Sequence, residues 1–267
     1  GDLIFDEVLK RDSAFIYPAN KQIFNVSRFC NGHPRDGAKL EDLVFKLISP
    51  LDNNYLDYHS QQCINISLES DGCIIVKLSD NKSLWDELSI YVKTREFLKQ
   101  NIGKRPEQEV LLREKSLENT DRYKRLRYNF SELFINAEFY AIGKRFDPKS
   151  SNPPAMLQEA YLYVIENTFS KLNLLHITAN VLAELQATVS SDDVTQLELD
   201  LNAPESNGAA MREVDEYIQL KVNRNQTVFA ADIVERFKRR PFGWPNNEIL
   251  LLMARLELSG KITFNMN

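Results

Sequence analysis

Four cations crowd one short stretch near the end of the chain: Arg236, Lys238, Arg239 and Arg240, followed at once by the corner Pro241-Phe242-Gly243-Trp244-Pro245. Guanidinium and ammonium groups at this density suit one kind of chemistry, the neutralisation of phosphate oxygens, which positions a nucleic acid without reading its bases. Base reading needs Arg, Lys, Asn or Gln on the outward face of a helix. The helix predicted next, from about Asn246 to Leu258, is apolar nearly all round and offers Arg255 beside the acidic Glu248 and Glu257. Lys261, just beyond it, completes the set of candidate nucleic-acid contacts. The apolar character of that helix favours a structural or protein-contacting module, with DNA binding as the alternative.

These residues need elements to hold them. Val228, Ile233, Val234 and Phe237 fall at helical spacing, with Thr227 as a candidate N-cap. Phe242, Gly243 and Trp244 form the structural turn; flanked by prolines and set between two apolar helices, the two aromatic rings read as a core plug rather than as stacking platforms for bases. Gly260 is placed to end the second helix, and Lys261 to Phe264 reads as a strand. Helix, turn, helix and strand in this order are the core of a winged helix.

Upstream, a small sheet-containing domain is predicted over residues 1–82, with short mixed runs such as QIFNVSRF and LVFKLISP between Pro, Gly and Asn turns. Within it, QCINISLESDGCIIVKL reads as a hairpin in which Ile64/Leu78, Ile66/Val76 and Leu68/Ile74 share one face. That register keeps Cys63 and Cys73 too far apart to bridge. Residues 83–146 read as a long helical arm, with Ser83 as a plausible N-cap, Pro106 in the first turn of its longest helix and a stripe from Leu126 to Ala141. Run continuously over residues 106–142, that helix would be roughly 55 Å long. Its charges alternate in sign, as on a solvated, salt-bridged surface. FDPKSSNPP, residues 146–154, reads as a linker, and a helical segment with an acidic loop occupies residues 147–208. Residues 209–267 form the winged-helix-like module. The fold class is therefore α+β, mostly helical: a small mixed sheet domain, a long helical arm and a C-terminal winged-helix-like module.

Other chemistry is not encoded. The nine glycines include neither G-x-x-x-x-G-K-[ST] nor G-x-G-x-x-G. His33, His59 and His176 are scattered and lack partners at metal-ligand spacing, and Asp192 and Asp193 sit in the acidic loop, where solvation explains them. The expectation is no catalytic, cofactor-binding or metal residue and no small-molecule substrate. A formal net charge of -5 argues against a general polyanion binder. No window is apolar enough for a membrane span and the first residues lack a signal peptide's order, so a cytoplasmic location without membrane partners is expected. A first residue that is Gly and not Met predicts a piece of a longer protein.

The order of several motifs carries a resemblance. SLWDELSIYVKTREFLKQN, then ELFINAEFYAIGKRF, VIENTFSKLNLL and the FGW turn with EILLLMARLELSGKI are similar to the central and C-terminal part of the large P-loop, AAA+-like ATPase family of BREX phage-exclusion systems. FNVSRFCNGHPRDGAKLEDLVFKLISPLDNNY and CIIVKLSD resemble the same family. The resemblance implies a fragment that lacks the family's nucleotide-binding module, so ATP and Mg are expected only in that absent part. It further implies a non-enzymatic interaction or scaffold region in antiviral defence, whose partners are other BREX-type subunits or neighbouring protomers.

Overall fold

The runs LVFKLI and CIIVK are apolar at nearly every position, which suits strands covered on both faces. In the computed structural model, which describes residues 2–9, 13–35, 42–69, 72–101, 108–190 and 207–264, they are adjacent parallel strands. The chain divides into two units, residues 1–15 with 24–164 and residues 16–23 with 165–267.

The first unit is built on a mixed sheet. It contains α1 (Asp2–Leu9), β1 (Ala14–Ile16), β2 (Ile23–Cys30), β3 (His33–Pro34), β4 (Leu43–Ile48), α2 (Ser60–Glu69), β5 (Cys73–Lys77), α3 (Lys82–Asn101), α4 (Glu109–Ile135), β6 (Glu138–Ala141), β7 (Lys144–Phe146) and most of α5 (Pro153–Thr168). The strand order is β1-β2-β4-β5-β6-β7, with β3 folded back on β2. β2, β4 and β5 run parallel, and β6 and β7 are antiparallel to their neighbours. The β6–β7 turn has φ of 51° at Ile142 and 71° at Gly143, both positive as the tight primed hairpin turn requires. Gly143 donates its N–H to Ser67 Oγ (2.9 Å), tying the turn to α2.

Three features differ from the sequence reading. Residues 60–69 form a helix between two parallel strands where a hairpin was expected, because Cys63 and Ser67 lie one turn apart and both face inward. That helix brings Cys63 into one cluster with Cys73, Ile48, Ile75 and Tyr140. Both thiols are reduced, and burial pushes that of Cys63 up. The long helix ends at Ile135, and the last part of the expected stripe, Tyr140 and Ala141, is strand β6, bonded across to Ile75 and Ile74. Pro106 lies outside the described residues. The prolines at 153 and 154 open α5, where missing N–H groups cost nothing, and Asn152 Oδ1 accepts from Ala155 N–H (3.3 Å).

α3 and α4 pack side by side. Tyr91 stacks on Tyr123 (5.3 Å), and the buried Asn119 donates to the Tyr91 carbonyl (3.3 Å). Four cations of α4 each meet an acid: Arg122 meets Glu118 (2.8 Å), Lys124 meets Asp121 (3.0 Å), Arg125 meets Glu87 (3.0 Å) and Arg127 meets Glu7 (3.1 Å).

The second unit contains α6 (Val181–Val189), α7 (Gly208–Val222), α8 (Ala230–Lys238) and α9 (Asn246–Leu258). Its core takes in the early segment of residues 16–23: Tyr17 is buried, Asn20 donates to the Leu175 carbonyl (3.4 Å) and Gln22 to the Gly243 carbonyl (2.8 Å). α9 is enclosed by α6, α7 and α8. It ends in a Schellman motif, with Gly260 N–H on Glu257 O (2.8 Å) and Lys261 N–H on Leu256 O (3.1 Å). The strand expected at Lys261 to Phe264 is not formed. The chain folds back instead, so that Phe264 N–H reaches Glu257 Oε1 (3.1 Å).

Candidate functional site

The sequence AADIVERFK puts Ile233 and Phe237 one turn apart on the inner face of α8 and leaves Asp232, Glu235, Arg236 and Lys238 in water, with Arg239 exposed just beyond. Asp232 Oδ2 accepts the Phe229 N–H (3.2 Å), so the helix starts there and not at Thr227. Arg236 and Lys238 stand in the last turn, where the helix dipole favours positive charge.

The corner that follows is anchored from both sides. Arg239 O accepts from Phe242 and Gly243 N–H (3.0 and 3.2 Å), and Trp244 N–H donates to Phe237 O (3.0 Å). Trp244, 1% exposed, lies parallel to Phe237 (5.1 Å, 10°) and edge-on to Phe242 (4.8 Å). Its indole N–H donates to Lys171 O (3.3 Å). Gly243 has φ of 67°, and a Cβ there would stand 2.6 Å from the Phe169 ring, so only glycine fits.

This framework brings Arg236, Arg239 and Arg240 to one open cleft of about 470 Å³. Tyr217 and Lys221 of α7 also line it, as do Thr227 and Val228 from the segment between the helices. The Arg236 guanidinium lies 5.0 Å above the Phe242 ring and donates to Arg240 O (3.0 Å). Arg239 meets Glu235 at 2.9 Å on the surface. Lys221 sits 5.7 Å above Tyr217. Two carboxylates, Asp232 and Glu235, share the cleft with the four cations. Lys238 is exposed but lines no part of it.

The remaining sequence candidates lie elsewhere. Arg255 is turned inward, its side chain 14% exposed, and pairs with Glu184 of α6. Lys261 approaches Asp215 at 3.8 Å. The cleft residues Tyr217, Lys221, Asp232 and Glu235 were not singled out from the sequence. The signal was present for the α8 pair: Glu235 stands one turn before Arg239, and Asp232 one turn before Arg236.

α9 occupies the place of a reading helix, yet Ile249, Leu251, Leu252, Met253 and Leu256 are all buried, as is Glu248. Glu248 accepts from Thr178 N–H (2.7 Å) and Thr178 Oγ1 (3.0 Å). Burial pushes its carboxyl above the usual range, against the pull of Thr178 and Arg255. With the folded value raised, the folded state holds the proton more tightly. Stability from this group is therefore present at low pH and lost as the pH climbs from 4.5 through the folded pKa. Glu248→Gln keeps a hydrogen-bonding partner for Thr178 and should remove that dependence, changing stability at neutral pH by no more than about 1 kcal/mol. Urea midpoints followed by Trp244 emission in a Trp85→Phe background, at acid and neutral pH, test this. Coincident pH profiles with and without the Glu248→Gln substitution would show the carboxylate to be solvated.

Among the described residues no group of three His, Cys, Asp or Glu could hold a metal ion, and no helix is long and apolar enough to cross a membrane. Asp192 and Asp193 lie outside the described residues.

A mixed sheet unit joined to a helical unit of helix-turn-helix order places the chain among multidomain proteins with a C-terminal winged-helix domain. Residues 1–164 match the family described as the BREX ATP-binding protein BrxC 4th domain with six-stranded beta sheet. Residues 171–267 match the BREX ATP-binding protein BrxC winged helix-turn-helix domain. The chain belongs to the BrxC family of BREX ATP-binding proteins, components of a phage-defence system, and neither match is to the P-loop module. No solved structure matches the chain.

Proposed function

We propose that this chain is a non-catalytic interaction region of a BREX ATPase, in which the C-terminal module contacts other BREX subunits or neighbouring protomers and does not read base sequence. The enclosure of α9 is the observation that supports this: the helix that would enter a groove is covered by α6, and its arginine is spent on Glu184. Its exposed positions, Asn246, Asn247, Leu250 and Glu257, include no Arg or Lys, the cations that make the commonest base contact, to guanine. ATP and Mg belong to the parent protein's P-loop module, outside this chain.

The second reading is nonspecific DNA binding through phosphates, favoured by the exposed Arg236, Arg239 and Arg240. Fluorescence anisotropy with duplexes of different sequence at low salt tests both readings, and a complete absence of binding removes the second. The expected result is affinities that agree within about twofold between sequences and, if any binding is seen, a salt slope of roughly -2 to -3, the value for two or three neutralised phosphates. A preference of about a thousandfold for one duplex would mean specific readout and would sink the proposal.

A further inference from the structure

We propose that the cleft between α7 and α8 is a docking site for a short acidic segment of a partner polypeptide, one that carries apolar side chains beside its carboxylates. The inference rests on the partner-contact reading above and names the surface that serves it.

Charge supplies the first argument. Lys221 from α7, Arg236 from α8, Arg239 just after it and Arg240 from the corner converge on one opening. Arg236 is already fixed by the Phe242 ring and the Arg240 carbonyl, so its remaining N–H donors are presented to a carboxylate with little ordering left to do. The Arg239–Glu235 pair is mostly exposed, its side chains 76% and 58% accessible, and such a pair exchanges readily for an incoming acid.

The mixture of signs supplies the second. A nucleic-acid backbone carries a charge at every step and would run past Asp232 and Glu235, which repel it. A peptide can place its carboxylates singly, opposite the cations alone. The apolar surroundings point the same way. Phe229, 62% exposed, stands in sequence between the lining residues Val228 and Asp232, and the exposed Val222 follows Lys221. Aromatic and arginine side chains together are the usual anchors of a protein interface. The cleft's size, about 470 Å³, suits a few side chains and not a folded domain.

The test is fluorescence anisotropy on the whole chain at low salt with three labelled probes: a peptide of about a dozen residues alternating Glu and Asp with Leu and Phe, its Gln/Asn counterpart, and a DNA duplex of two helical turns. The acidic peptide is expected to bind saturably, with its amide counterpart and the Arg236→Glu/Arg239→Glu protein each weaker by about tenfold or more. Arg239→Glu alone, at a mostly exposed position, should weaken binding several-fold, and Phe229→Ser should do likewise. Arg212→Glu, exposed on α7 outside the lining, should leave binding unchanged. The proposal is overturned if the acidic peptide does not bind, if the duplex binds more tightly than the peptide, or if binding is indifferent to Arg239→Glu. A missing peptide complex would leave the broader partner-contact reading standing, whereas sequence preference among duplexes would remove that reading itself.

Discussion

Trp244→Ala is expected to destabilise the C-terminal unit by about 3–5 kcal/mol, the range for emptying a large aromatic from a packed core. The indole is 1% exposed and is contacted by two other rings, Phe237 in parallel and Phe242 at its edge. Its N–H holds the Lys171 carbonyl, so truncation also leaves that acceptor without its donor. Because a domain is stable by only about 5–15 kcal/mol, the loss should bring the unit close to unfolding at physiological temperature. Hydrogen exchange over α7, α8 and α9 reads this directly, with protection falling together in all three. A loss below about 1 kcal/mol would mean that the ring lies on the surface and that the corner is free to stack on a ligand.

Phe130→Ala should have a comparable effect on the first unit, again about 3–5 kcal/mol. Phe130 is 1% exposed on α4 and meets Phe5 of α1 edge-on at 4.7 Å and Trp85 of α3 at 5.5 Å. One ring thus joins three helices, and its removal loosens α1 and α3 together. Denaturant unfolding followed by Trp85 emission in a Trp244→Phe background measures it. Tyr128→Ala, two positions away on the same helix but 66% exposed, should cost less than about 0.5 kcal/mol. Equal costs at the two positions would contradict the packing of α4 described above.

The α+β class, the helical character of the second half and the winged-helix module were legible in the sequence because each rests on strong local signals. Gly260 does end α9, at a φ of 69° that favours glycine. The short apolar runs misled. In QCINISLE the isoleucines alternate with polar residues as in a strand, yet the buried Cys63 and Ser67 lie four apart, and eight residues cannot separate the two periods. The packing of that helix against β5 and β6 decides the matter, and the β6 partner lies some 70 positions further along the chain. The end of α4 failed for a related reason: Tyr140 and Ala141 continue a plausible helical stripe, and only pairing with β5 converts them to strand.

At the candidate site the cations were legible and their neighbours were not. A charge cluster is visible in one dimension, but the cleft depends on Tyr217 and Lys221 from another helix. The inward turn of Arg255 depends on Glu184, 71 positions away. No spacing rule carries such pairings.

The mixed sheet ends on β7, a strand of three residues. Lys144 and Arg145 there are exposed, the first set above the Tyr163 ring (5.4 Å) and the second paired with Asp147 (3.2 Å). An open row of backbone donors and acceptors is a template on which another chain can build. So short a margin, carrying two cations, offers an incoming strand few bonds and a desolvation cost for each charge. Growth of the sheet from one molecule into the next is thereby disfavoured at this margin.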